Sequence, residues 1–328
     1  MKRVMYTVDD VKAMIQSGKK LLLAGDEKVL SQLPKGEWIA GTIPYFVGDD
    51  GGLFTQELIC VTELPDYVED ISIRVFDAES LKRIYQEIDD HCVGFVILPA
   101  SSESHLSFSL NSPSYEGFGT RPLIGWVAGV NLDDLGKVTP KVYNGSNLTV
   151  HEEGAVVLIA KLPPQKIADV NIINIFEQGD GDEIVFLDDG FTAADVEING
   201  HKVNFADYLI EKKCDTRLPL VADYYGVSVN TSFQAIDEEK REVSFYAPVF
   251  KGMVYKHAGP IENYVEQFIA QIPKAGTDQI LFSCNCILNY LHSELEGKKT
   301  GDITGPITFG EVAYQLLNQT LVYLTISD

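Results

Sequence analysis

Basic residues are scarce in this chain. Its 328 residues carry 26 Lys and Arg against 48 Asp and Glu, a formal charge of −22. The acids are scattered as pairs such as Asp9-Asp10, Asp49-Asp50, Asp89-Asp90 and Asp188-Asp189, without a long block. A surface of that sign repels a phosphate backbone, so nucleic acid is excluded as an expected partner. Cysteine is sparse too, with five residues at 60, 92, 214, 284 and 286. An odd and thin set of this kind makes no secreted disulfide framework and points to the reducing cytoplasm. Long apolar runs are missing. Asp9, Asp10 and Lys12 interrupt the stretch after Met1-Lys2-Arg3, so no secretory signal is expected. The uncharged runs near 122–132 and 312–327 are too short or too polar to span a bilayer, so no membrane partner is expected either.

Signature motifs are equally thin. There is no Gly-x-Gly-x-x-Gly, Gly-x-Ser-x-Gly or His-Glu-x-x-His, and no cofactor is expected. Gln178-Gly-Asp180-Gly-Asp182-Glu183 begins like a calcium loop, but Phe191 stands where the loop needs its bidentate Glu. Lys298-Lys-Thr300 ends like a phosphate loop, but His292 stands where its first Gly belongs. Cys284-Asn-Cys286 is two ligands short of a zinc site, so no metal is expected.

What remains is a chain of 45% hydrophobic and 23% charged residues, the composition of an ordinary globular protein long enough for two domains. Strand-like runs at 20–24, 38–40, 57–61, 71–76 and 93–98 alternate with helical ones at 8–16, 27–32 and 78–89. Thr7, with Asp10 three residues on, opens the first helix as a capping box. A further strand at 155–161 is broken by Leu162-Pro-Pro164. Beyond it lie strands at 171–176, 227–235 and 242–250, helices at 205–213 and 261–272, and a closing strand, helix and strand. No fixed repeat is visible. The expected fold is α+β, two mixed-sheet domains with helices packed on their outer faces, divided as 1–165 and 166–328.

Three segments carry the chemistry. The run 279–284 reads as a buried strand and 286–296 as a helix, with Asn285 as N-cap and Gly297 as its stop. Cys284 and Cys286 would then sit at a positive helix end, which favours a thiolate or a bound anion. The competing reading is two small buried apolar side chains. Read as extended, 101–111 puts His105, Ser107, Ser109 and Asn111 on one face, either a polar ligand strip or the wet side of a strand. Glu311 follows Gly310 and would start a helix over 312–317, where its carboxylate either receives an ammonium group or only caps the helix. Tyr45, Trp126, Tyr224, Tyr225 and Tyr246 supply aromatic surface or core.

Phe282-Ser-Cys-Asn285, Gly305-Pro306, Phe309-Gly-Glu311 and Asn318-Gln-Thr320 together resemble the C-terminal half of the FIST family of sensory domains. Ile198-Asn-Gly200, Leu218-Pro-Leu220 and Phe250-Lys-Gly252 fall where that half has its turn, proline step and glycine strand. Trp38-Ile-Ala-Gly41-Thr42, the run 93–98 and Pro122 to Gly129 resemble the N-terminal half. Two departures stand out: Cys286-Ile287 replaces the family's Gly-Arg, and Gly41-Thr-Ile-Pro44 replaces its Gly-Cys turn. The resemblance implies a cytoplasmic small-molecule sensor with an amino-acid-like ligand. With no output domain expected in the chain, it would signal through a separate protein partner. The expected ligand residues are Gly41, Thr42, His105, Ser283, Cys284, Asn285, Cys286, Gly310 and Glu311, with none assigned as catalytic. The competing classes are a thiol-dependent enzyme built on Cys284 or Cys286, and a non-catalytic protein-interaction module.

Overall fold

Thr7 opens the first helix, Val8–Gln16, as a reciprocal capping box with Asp10, and Val11 and Ile15, four residues apart, turn its apolar stripe inward. This helix belongs to a computed structural model that describes residues 4–224, 227–271, 279–292, 296–299 and 303–328. The fold is α+β, rich in mixed sheets and poor in helix. It divides into two compact units that interleave in sequence. The first takes Met1–Ile173, Ile269–Leu316 and Leu321–Asp328, and the second takes Asn174–Phe268 and Leu317–Thr320. The units therefore do not divide the chain at residue 165, because the closing strands return to the first unit.

The first unit holds three six-stranded sheets with one strand order. The first sheet runs Met5–Tyr6, Ile59–Glu63, Leu21–Gly25, Trp38–Thr42, Val142–Asn144 and Thr149–His151. In the second, Asp70–Phe76, Ala155–Lys161, Cys92–Pro99 and Leu123–Ala128 are followed by Glu311–Ala313 and Gln315–Leu317. The third is Ile167–Ile173, Leu321–Ser327, Ile280–Cys286, Gly305–Thr308, Tyr45–Gly48 and Gly51–Phe54. The middle two strands of each sheet are a parallel pair joined through a helix: Glu27–Leu30, Glu103–Asn111 or Ile287–His292. The last two strands are lent by another repeat. The first sheet borrows from the second repeat, the second from the third, and the third from the first, so the exchange closes on itself.

No fixed repeat is legible in the sequence because sheet order demands apolar runs and turns at the right lengths, not identical residues. The parallel strands are buried along their length, as expected for strands covered on both faces: Leu21–Gly25, Cys92–Pro99 and Leu123–Ala128 show no exposed residue. The closing strands expected from the sequence are present and pair, with Ile280–Cys286 antiparallel to Leu321–Ser327.

The second unit enters between Ile167–Ile173 and Ile280–Cys286, where the first repeat has the helix Val8–Gln16. It carries an antiparallel six-stranded sheet and a three-stranded one. Its helix Phe205–Lys212 is capped by Asn204 and sends Phe205, Ala206 and Leu209 into a core with Phe186, Phe233, Phe245 and Tyr255. Asn230, fully buried, donates to Asn174 Oδ1 and to the Asn318 carbonyl, both at 3.0 Å. Ser232 donates to Gln319 Oε1 at 2.7 Å. Asn318-Gln-Thr320 is thus a buried linker between strands, not the strand expected there.

Several elements differ from expectation. Residues 101–111 form the helix Glu103–Asn111, capped by the Ser102 side chain on His105 N, with Ser104, His105 and Phe108 buried. The alternating serines mimic a strand, but the cap and the 3–4 spacing of the buried residues win. The segment 78–89 yields only the short helix Ser80–Arg83. The strand expected at 171–176 is Ile167–Ile173. Tyr225, and parts of the helices expected over 261–272 and 286–296, lie outside the described residues.

Candidate functional site

Along Ile280–Cys286, Phe282, Cys284 and Cys286 alternate with Ser283 and Asn285. The strand includes Cys286, so the next helix starts at Ile287 and Asn285 does not cap it. Asn285 Oδ1 instead accepts from Cys286 N at 2.8 Å and Asn289 Nδ2 at 2.9 Å, while its own Nδ2 is buried without a partner. Glu311 begins the strand Glu311–Ala313 opposite Trp126, not a helix, and is 0% exposed. The expected helix over 312–317 is absent because these residues complete the second sheet. Thr308 places its hydroxyl 3.1 Å from the Gly310 carbonyl and 3.5 Å from Glu311 Oε1.

Cys284 donates its thiol to the Gly125 carbonyl at 3.4 Å. Burial, then the nearby Glu311 and Cys286, push this thiol well above the ordinary range and keep it protonated. The expected thiolate at a helix end is therefore not what this geometry builds at Cys284. Phe282 stacks on Trp126 with centroids 5.4 Å apart, and Trp126 Nε1 is buried without a partner. A Cβ on Gly41 would lie 3.0 Å from that nitrogen and 2.6 Å from Ile97, so glycine is what lets the indole approach.

The fold thus gathers Gly41, Cys284 and Glu311 around Trp126, with Gly310 accepting from Val127 N at 2.8 Å. Thr42 is spent on backbone: its hydroxyl accepts from Lys141 N at 2.9 Å and its carbonyl from Gly129 N at 2.7 Å. Ser283 donates to the Thr304 carbonyl at 2.8 Å. His105 sits on the face of its own helix that is turned inward, its Nδ1 accepting from Ser101 N at 3.2 Å, and burial lowers its pKa to about 4. Each of the nine expected residues is buried. Glu311, among them, is closed to solvent in this arrangement.

An open groove of about 600 Å³ lies elsewhere in the first unit. The short helix Glu27–Leu30 and the residues after it supply Glu27, Leu30 and Leu33, Trp38 closes the floor, and the hairpin lent by the second repeat supplies Lys141, Tyr143, Val150 and Glu152. Lys141 Nζ lies 2.5 Å from Glu27 and 3.7 Å from Glu152. The Glu27 hydrogen bond holds the ammonium above its ordinary pKa against the opposing effect of burial. Burial, with Glu27 and Asp26 nearby, likewise raises Tyr143 and keeps its phenol neutral. Of these residues only Trp38 was named from the sequence, within a family-like segment, and none was expected to contact a ligand. The two walls lie more than a hundred residues apart, and no local signal links them.

Among the described residues, no group of three or more His, Cys, Asp and Glu is placed to hold a metal ion. Among the described residues, no helix is long and apolar enough to cross a membrane. The fold and groove define an α+β protein built on a cyclic threefold exchange of hairpins. The chain belongs to a family of unknown function, DUF6976, whose model matches residues 6–327. No curated protein matches the chain.

Proposed function

We propose that the protein is a cytoplasmic small-molecule sensor that binds an amino-acid-like ligand and signals through a separate protein partner. The observation that carries this reading is the groove. Its volume of about 600 Å³ falls within the range of small-molecule sites, and apolar walls there converge on one ammonium and two carboxylates. The resemblance to FIST sensory domains supports the same class. The proposed ligand site is the groove, which is open, and not the Cys284–Glu311 cluster, which is buried. A thermal-shift screen against amino acids and small metabolites tests it. A ligand at a hundredfold excess over its Kd adds about 2.7 kcal/mol to the native state. The absence of any shift across such a panel would remove the reading.

A further inference from the structure

The groove owes its chemistry to one face of the borrowed hairpin. Successive side chains of a strand point to opposite faces, so Lys141 and Tyr143 turn the same way, and Val150, directly opposite Tyr143, shares that face with Glu152. Leu148, at the hairpin turn, joins them in lining the groove. The short helix Glu27–Leu30 packs on the neighbouring strands Leu21–Gly25 and Trp38–Thr42, and Tyr143 belongs to the core beneath it with Leu21, Leu30 and Trp38. Leu148 and Val150 are left 50% and 48% exposed. Apolar surface therefore stands in water inside a concave site.

The charges around it do not balance. Glu27 lies 2.5 Å from Lys141 Nζ and takes its hydrogen bond. Glu152 lies 3.7 Å from the same nitrogen, outside hydrogen-bond range, and its side chain is more than half exposed. One ammonium facing two carboxylates leaves one negative charge over. Asp26, the N-cap of the helix, stands close enough to join burial and Glu27 in raising the Tyr143 phenol, so its charge adds to the surplus. Lys28, the other cation of that helix, is exposed and does not line the groove. A ligand carboxylate would have to displace Glu27 to reach Lys141. An ammonium finds Glu152 ready.

We infer that the groove takes a primary aliphatic amine, the frame of an amino acid without its carboxylate, whose chain lies on Leu148 and Val150 and whose ammonium pairs with Glu152. This rests on the groove being the ligand site, and it narrows the ligand to one of net positive charge.

The test is calorimetric titration of the full chain with pentylamine, norleucine and hexanoate, which carry the same butyl chain and differ only in the charged groups at its end. Pentylamine is expected to bind, norleucine about fivefold more weakly, the worth of one charge pair at contact distance near solvent, and hexanoate not at all. Hexylamine is expected to gain up to about fourfold over pentylamine for its added methylene. Glu152→Gln should erase the preference for pentylamine over norleucine, and Val150→Ser should weaken both, each with a thermal midpoint near wild type because the position is exposed. Norleucine binding as tightly as pentylamine, or a preference that survives Glu152→Gln, overturns the inference and leaves the sensor reading standing. Unchanged affinity in folded Val150→Ser overturns it as well, by placing the ligand off the hairpin face. Failure of all three compounds to bind the folded wild-type chain also overturns it, and the wider thermal-shift panel then decides the sensor reading separately.

Discussion

Gly41, which the Trp126 indole approaches, and Gly125, which precedes Trp126 in the chain, differ in what surrounds them, which makes a paired substitution informative. A Cβ on Gly125 would lie 1.8 Å from the carbonyl oxygen of Val96 and within 2.9 Å of that residue's nitrogen, the partner in register on the adjacent parallel strand. These are backbone atoms in a sheet buried on both faces, and no side-chain rotation relieves the clash. A Cβ on Gly41 would instead meet the Ile97 methyl at 2.6 Å and Trp126 Nε1 at 3.0 Å, which are side-chain atoms that can shift. Overpacking costs about 1 to 3 kcal/mol, and more when the backbone must move, against about 0.4 to 1 kcal/mol recovered by restricting the unfolded chain. Gly41→Ala should therefore cost about 1 to 2 kcal/mol net, and Gly125→Ala about 3 kcal/mol or more. Urea unfolding followed by tryptophan fluorescence reads this unit alone, since the chain's two tryptophans, Trp38 and Trp126, are both buried in it. The midpoint should fall with the slope unchanged. A Gly125→Ala midpoint equal to wild type, or a larger loss for Gly41→Ala, would refute the reasoning.

Three further outcomes follow from burial. Cys284, held protonated by burial and by Glu311, should resist a thiol reagent in the native protein at about pH 8, and mass-spectrometric detection of label there would contradict the sealed cluster. His105 has its pKa lowered from 6.5 to about 4, so the unfolded chain takes up a proton there that the folded one refuses. Its contribution to stability is complete above about pH 6.5 and declines by up to about 3 kcal/mol as pH falls toward 4. The pH dependence of the wild-type unfolding midpoint should accordingly be steeper than that of His105→Gln in this window, and parallel curves would count against it. Asn230→Ala removes the donor to the buried Asn318 carbonyl in the second unit, at about 1 to 3 kcal/mol, while Asn174 Oδ1 keeps its bond from Phe176 N. Faster amide exchange confined to that unit is the expected signature, and unchanged exchange would show that the amide network carries no weight.

Local chemistry was legible in the sequence wherever neighbouring residues settle it. Thr7 and Asp10 announce the first helix, the apolar run at 155–161 announces its strand, and the Gln279 to Ser327 region correctly offers its first and last strands to one sheet. The α+β class follows from such runs, because burial of each periodic face depends only on residues a few positions apart. Tertiary packing decided the rest. Glu311 reads locally as a helix start and becomes a strand because Trp126, far away in sequence, offers it a ladder. The serines of 101–111 alternate like a strand and coil into a helix because their small side chains fit against a core assembled by other segments. Cys284 reads as a reactive thiol and is silenced by burial that only the assembled sheet imposes. The exchange of hairpins among three sheets, and the groove between the short helix Glu27–Leu30 and the borrowed hairpin, depend on long-range pairing. A sequence specifies which faces must be buried, and the fold determines what buries them.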